Sequence, residues 1–275
     1  MASTEEKTID SVRQQTPSHP PRATPTCKNY LLDALLRANG LDSASLSPEI
    51  FLETGKDPFD SLKTTNFVIF PTTAVIAVLG TMQDGFLPGV AIAGFDGSAG
   101  MAPLFSDAQK AYKFKTVQQG HALAVPSSTV DLYLEVSEAR ETLNEYLRFF
   151  IEALSMVPHC ASRHSADKRI ARWLGSVYVR SPLKSITVTH EFIAGYLSLR
   201  RESVTESLGR LAATGAIELH RGIIAVRDQD LLIENCCSCG ATDKQGLSRW
   251  QARARPTTPS CPATTKEVCA GSPRC

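Results

Sequence analysis

THEFIAGYLSLRRESVTESLGRLAATGAI, running from Thr189 to Ile217, is the stretch whose reading decides the fold. His190 to Leu197 sets Phe192, Ile193, Tyr196 and Leu197 on one helical face, with Thr189 placed to cap the N-terminus. After a short break, Val204, Leu208 and Leu211 recur at helical spacing, which turns Arg201, Glu202, Thr205 and Glu206 toward solvent. The second helix opens on a basic pair, Arg200 and Arg201. This is the layout of a helix-turn-helix, whose second helix presents its N-terminal residues to the DNA major groove. An ordinary helical hairpin in a larger core fits the same pattern, so the neighbouring sequence has to decide.

Gly215 ends the second helix. Two short apolar runs follow, Ala216–Leu219 and Ile223–Val226, around His220, Arg221 and Gly222. They predict a hairpin with a basic tip and a glycine able to take positive φ. Helix, turn, helix and basic hairpin in this order make a winged helix-turn-helix. On three stretches the chain resembles the C-terminal half of the CRP/FNR family, bacterial transcription regulators related to the cyclic-AMP receptor protein. These are DKRIARWL (Asp167–Leu174), VTHEFIAGYLSLRRESVTESL (Val188–Leu208) and GAIELHRGIIAVRD (Gly215–Asp228). The resemblance covers about Tyr30 to Cys239 and is strongest from Arg163 to Asp230.

Composition agrees with a two-part chain. The 275 residues allow one or two domains, and 43% hydrophobic content can fill real cores. No apolar run reaches the length of a membrane span and the N-terminus is polar, so a cytoplasmic protein without membrane contact is expected. The net charge of +1 conceals a division. Lys28 to His159 holds 9 Lys/Arg against 15 Asp/Glu, whereas Cys160 to Asp230 holds 11 against 7. An acidic sensor joined to a basic head suits phosphate contacts, which supply much of the affinity for DNA.

Residues 1–27 lack periodicity and carry Pro17, Pro20, Pro21 and Pro25, which predicts disorder. A short helix over Asn29–Ala38 opens the sensor, residues 28–135. Strands are then expected at Asn66–Phe70, Ala74–Gly80, Gly89–Phe95, Lys113–Val117 and His121–Val125, with turns at Gln83-Asp84-Gly85 and Phe95-Asp96-Gly97. Many short strands with regular turns indicate a barrel or jelly roll. The resemblance specifies the double-stranded β-helix of cyclic-nucleotide-binding domains. The expected class is therefore α+β: a β-roll sensor, a long helix and a C-terminal winged helix-turn-helix.

Over residues 136–164, Leu143, Leu147, Phe150, Leu154 and Val157 are spaced 4, 3, 4, 3, an a/d heptad seam. A lone amphipathic helix can use such a face against its own barrel; the family's dimerisation helix lies here, which implies a homodimer. Pro158 is expected to kink or stop this helix. Ser165 is positioned to cap the next helix, which opens the head, residues 165–239, and carries Ile170, Trp173 and Leu174 into its core. Residues 240–275 lose periodicity and predict a disordered tail.

Matching the second helix to the family places Arg201, Glu202 and Glu206 at base-facing positions. Arg can hold guanine O6 and N7 bidentately and Glu can accept from cytosine N4, so Arg201 and Glu202 suit G·C pairs. Ser203 and Thr205 suit phosphate or a thymine methyl. Glu206 departs from the receptor protein, where a basic residue sits, and implies a different operator. Ser198 departs too, standing in the turn where glycine is common. Arg200, His190 and Arg221 suit the DNA backbone, which fixes register without reading sequence.

Relatives that bind cyclic nucleotides use an Arg on the cyclic phosphate, but no Arg occurs between Arg37 and Arg140. Lys110, Lys113 or Lys115 offers charge without a bidentate fork. Gly94, Gly97 and Gly100 are then read as turn formers. His121 at a strand start is read as a satisfied or exposed histidine before a haem ligand. Cys236-Cys237-x-Cys239 is tighter than the usual C-x2-C zinc pairing, Cys27 and Cys160 stand alone, and Cys261, Cys269 and Cys275 follow in the tail, so no metal or cofactor is expected. No Ser/His/Asp set or carboxylate pair points to an enzyme. The expected partners are double-stranded promoter DNA, a second copy of the chain and, by the resemblance alone, RNA polymerase. Three rival readings stay open: gating by a cyclic nucleotide, metal or redox sensing through the C-terminal cysteines, and a sensor-only interaction protein with an inactive head. The effector, operator and sign of regulation are not encoded legibly.

Overall fold

The computed structural model describes residues 29–41, 49–62, 66–101 and 112–254. The segment 1–27 with Cys27, Lys110, and the tail beyond residue 254 with Cys261, Cys269 and Cys275 lie outside them. Helix α1 (Tyr30–Ala38) starts at Asn29, whose side-chain oxygen accepts from the Leu32 N–H at 3.1 Å. The Asn29 amide donates to the carbonyls of Pro71 at 2.9 Å and Gly97 at 2.6 Å. A capping residue thereby also ties α1 to the sheet.

Among the described residues, six strands build the N-terminal half, the expected sensor: β1 (Ile50–Leu52), β2 (Phe67–Pro71), β3 (Val75–Gly80), β4 (Gly89–Ala93), β5 (Tyr112–Gln118) and β6 (Gly120–Pro126). They form two antiparallel sheets, ordered β1-β6-β2 and β4-β3-β5. Leu52, Phe59, Ile69, Ile76, Ala93 and Ala122 fill the space between them. All five strands expected from the apolar runs are present.

Strand β3 is buried on both faces. Ile76 points into the sensor core, while Val75, Ala77 and Leu79 alternate to the opposite face and join the core of the C-terminal half. That half comprises α4 (Ala166–Tyr178), β7 (Ser185–Thr187), α5 (His190–Leu197), α6 (Arg201–Ala213), β8 (Ile217–His220), β9 (Ile223–Val226) and α7 (Gln229–Glu234). Its fully buried side chains include Ile170, Leu174, Ile186, Ile193 and Leu208. Sensor and head therefore share one apolar cluster.

Between them, α2 (Ser127–Tyr133) leads into α3 (Ser137–Arg163), 27 residues and roughly 40 Å long. Two expectations need correction here. Pro158 does not end the helix, which continues to Arg163. The missing N–H weakens that turn, but Cys160 is buried against Cys237 and Cys239 and holds the last turns in place. Ser165 occupies the N-cap of α4 but makes no side-chain capping bond.

The seam on α3 is engaged within the chain for much of its length. Leu143 is buried, and Leu147 and Phe150 pack on the same cluster as α1 residues Leu31 and Leu35. Leu154 and Val157 line a cavity of about 220 Å³ between α3, β4 and the head.

The predicted tail also differs. Residues 240–254 continue a helix, α8 (Ser238–Ala254), which buries Leu247, Trp250 and Ala254 against α1 and α3. Burial of those three outweighs the poor helix propensity of Gly240 and Gly246. No helix among the described residues is long and apolar enough to cross a membrane.

Candidate nucleic-acid interface

The turn between α5 and α6 is built as the sequence suggests. Thr189 accepts from the Phe192 N–H at 3.1 Å and caps α5. Ser198 ends that helix at φ 51°, ψ 53°, the one non-glycine in the left-handed region among the described residues. Its N–H donates to Gly195 at 3.2 Å, so the turn closes although a Cβ is present.

Helix α6 divides cleanly into two faces. Val204, Ser207, Leu208 and Leu211 are buried, whereas Arg201, Glu202, Thr205 and Glu206 are exposed and Ser203 is half-buried. The only ion-pair partner Arg201 meets among the described residues is Glu191, at 3.9 Å with both side chains more than two-thirds exposed. Such a pair holds weakly and leaves the guanidinium available. Glu206 sits 3.8 Å from Arg210, one turn on.

His190 and Thr205 form a local relay. The Thr205 hydroxyl donates to the Arg201 carbonyl at 3.1 Å, and the His190 Nδ1 lies 2.9 Å from the Thr205 hydroxyl oxygen. With the hydroxyl proton engaged, the imidazole donates through Nδ1. The hydroxyl of Thr205 is thus occupied and its methyl group is the part left to face outward.

The wing is β8 and β9, joined by Arg221 and Gly222, with His220 opposite Ile223. Gly222 adopts φ 75° and Arg221 is exposed at the tip. Arg200, half-buried His190 and Arg221 therefore lie at three points around α6: its N-cap, the start of α5 and the wing.

Polar struts fix α6. Arg210 donates to both carboxylate oxygens of Asp167 at 2.8 and 2.9 Å, pinning α6 to α4. That bonding holds the Asp167 carboxyl below its ordinary range and overrides partial burial. Arg169 donates to the Leu197 carbonyl at the end of α5.

The head in turn is clamped to the sensor. Arg180 donates to Asp96 at 2.7, 2.9 and 3.0 Å. Burial disfavours the Arg180 charge, but Asp96 beside it outweighs burial and holds the guanidinium protonated. Tyr196 of α5 lies against Gly89, where a Cβ would approach its ring to 2.4 Å. Burial pushes the Tyr196 phenol well above its ordinary range. Lys115 of β5 places its ammonium 5.0 Å from the Phe192 ring.

The glycine loop of the sensor faces protein groups. A Cβ on Gly94 would meet Arg180 at 2.8 Å, one on Gly97 would meet the Tyr146 hydroxyl at 2.5 Å, and one on Gly100 would meet Phe59 at 2.5 Å. These glycines allow close approach, a role beyond the turns predicted for them. The Trp250 indole N–H donates to the Asp96 carbonyl at 2.7 Å, so α8 reaches this loop as well. Burial and the Asp96 charge push the Tyr146 phenol up to about 12. The guanidinium that reaches the loop, Arg180, is already engaged by Asp96. His121 lies 3.7 Å from Glu49 and edge-on to Phe51, and its Nε2 is buried with no hydrogen-bond partner among the described residues, so the satisfied or exposed histidine expected from the sequence is not what the structure shows.

Sequence reasoning missed Asp96, Arg180, Tyr146 and Trp250 because their partners are 48 to 154 residues away. It also missed a cluster beneath the head, where Cys160 and His164 of α3 meet Cys237 and Cys239.

Residues 168–234 match the family model of the Crp-like helix-turn-helix domain. The solved structure of FixK2 from Bradyrhizobium japonicum aligns with a TM-score of 0.56 at 14% identity, covering 70% of this chain and 98% of that one. A protein from Eubacterium rectale, described as a CRP/FNR-family transcriptional regulator, aligns with a TM-score of 0.54 at 17% identity over 72% and 95%. At these identities the likeness is one of fold. No curated protein sequence matches the chain.

Proposed function

We propose, for a chain whose residues 168–234 match the Crp-like helix-turn-helix model and whose fold resembles that of CRP/FNR regulators, a sequence-specific DNA-binding role in transcription. The observation that carries this reading is the split of α6. Its apolar residues are sunk in the head while Arg201, Glu202, Thr205 and Glu206 form an exposed polar face at the N-terminal end.

In the groove, Arg201 takes guanine O6 and N7, and Glu202 accepts from cytosine N4. Thr205, its hydroxyl engaged by Arg201 and His190, offers its methyl to a thymine methyl. Ser203 meets phosphate. Glu206 requires an operator unlike that of a reader with a cation there, and Arg210 at 3.8 Å softens its repulsion of phosphate. Arg200, Arg221 and His190 are the groups placed to meet the DNA backbone.

The active form in this reading is a homodimer on a palindromic operator, with half-sites roughly 34 Å apart. The exposed Ile151 leaves apolar surface on the C-terminal half of α3 for a second copy, beside the cavity that Leu154 and Val157 line. An effector acts by shifting the head against the sensor, and RNA polymerase is the partner implied by the family. In-vitro selection from random double-stranded DNA is the test. A palindrome supports the reading as a whole; absence of any enriched sequence defeats it. Sedimentation of Leu154→Asp and Ile151→Asp tests the dimer face separately.

A further inference from the structure

We infer that Cys160, His164, Cys237 and Cys239 form a mononuclear Cys3His metal site for a thiolate-preferring divalent ion, with Zn2+ the natural occupant. Their four ligand atoms all lie within 4.8 Å of one another. The Cys160 and Cys237 sulfurs are 3.6 Å apart, and the Cys239 sulfur is 3.7 Å from His164 Nδ1. A tetrahedral ion with metal–sulfur bonds of about 2.3 Å separates its ligands by about 3.8 Å along each edge. The observed spacing is that of one ion. An iron–sulfur cluster, which interposes several atoms between its thiolates, needs a wider cage.

The local structure explains why these four converge. Cys160 and His164 are four residues apart and share one face of the last turn of α3, His164 being its C-cap. Cys237 and Cys239 flank Ser238, where α8 begins. Cys160, Cys237 and Cys239 are all buried, with Met156 beside them. Cys236 takes no part: its thiol donates to the Leu232 carbonyl at 3.2 Å.

The charge balance also fits. Binding Zn2+ releases three thiol protons to solvent and leaves a site of net charge −1. The Arg172 guanidinium lies beside Cys160 and offsets part of that charge, being shared with Asp243 of α8 at 2.7 Å. All four positions are filled by protein groups, the mark of a structural site. It lies where α3 passes to the head, one residue before Ser165 at the N-cap of α4. The ion fastens the end of α3 to the start of α8 and sets the root of the head.

The test uses the full-length reduced chain. Elemental analysis is expected to find about one Zn2+ per chain, and replacement by Co2+ to give the intense visible bands of a tetrahedral site with sulfur-to-cobalt charge transfer. Cys160→Ser, His164→Ala, Cys237→Ser and Cys239→Ser should each weaken Co2+ binding by more than about a hundredfold. Cys236→Ser should retain it. Weak octahedral Co2+ bands in the unaltered chain, iron accompanied by inorganic sulfide, or equal loss in Cys236→Ser and Cys160→Ser would each overturn the assignment. Where a variant does not fold, the Co2+ spectrum of the unaltered chain decides. DNA binding is not a readout here, so this site stands or falls apart from the proposed function.

Discussion

Asp96 and Arg180, 84 residues apart in the chain, form a bidentate ion pair with the carboxylate 3% and the guanidinium 10% exposed. One belongs to the sensor's glycine loop and the other to the residues following α4. The pair is the polar centre of an otherwise apolar contact between sensor and head. Breaking one side leaves a buried charge without its partner, which is more harmful than removing both. Arg180→Met is expected to lower unfolding stability by about 3–5 kcal/mol, and Arg180→Met with Asp96→Leu to recover most of it. Chemical denaturation of the two singles and the double checks this; an additive double would refute the coupling.

Trp250 makes α8 part of the folded unit. It is 3% exposed, packs near Tyr146 and Phe149, and donates to the Asp96 carbonyl. Trp250→Ala is expected to cost about 3–5 kcal/mol. A chain whose melting is unmoved by this change would show that α8 is dispensable.

Ser198 carries a Cβ in left-handed backbone. Ser198→Gly relieves that strain and is expected to stabilise the head by about 0.5–1 kcal/mol, a net of the relief and the larger entropy glycine loses on folding. Thermal unfolding measures it, and a lower midpoint would contradict the geometry.

Arg201 and Arg221 should differ in kind. Arg201→Ala is expected to cost about 1–3 kcal/mol of DNA affinity and to relax preference at one base pair. Arg221→Ala should weaken binding evenly across sequences and reduce the salt slope by about one. Competition binding over single-base variants at several salt concentrations separates the two patterns.

The Asp167–Arg210 contact should be visible in pH dependence. Arg210 holds the folded Asp167 carboxyl below its ordinary value of 3.8, so its contribution is complete above that value. It fades as pH falls below 3.8 through the folded pKa. The stability difference between the unaltered chain and Asp167→Asn should therefore be constant at neutral pH and shrink below about pH 4. The pair is partly exposed, so the difference is small and falls further with salt.

The helix-turn-helix was legible because its signals are local. Thr189 caps, Val204, Leu208 and Leu211 keep helical period, and Gly222 turns the wing, all within a few residues of what they control. The sensor strands were legible for the same reason, from apolar runs broken by Asp84-Gly85 and Asp96-Gly97. What escaped was decided at a distance. The burial of Cys160 carries α3 through Pro158. Helix α8 had its own faint pattern, with Leu247, Trp250 and Ala254 spaced 3 and 4, masked by two glycines. The cysteines were weighed among themselves, and the pairing of Cys160 with His164 four residues on went unseen.

Strand β3 buried on both faces has a consequence for how the chain is made. Val75, Ala77, Leu79 and Val117 find their cover in Ile170, Ile186, Ile193 and Leu208, which leave the ribosome much later. At about 5–20 residues per second, the finished sensor sheet stands uncovered for several seconds while the head is still being translated. During that interval its outer face is a greasy, strand-edged surface, the kind that neighbouring nascent chains adhere to. A sensor fragment released at this stage should aggregate, and efficient synthesis should depend on a chaperone that shields the sheet until residue 208 has emerged.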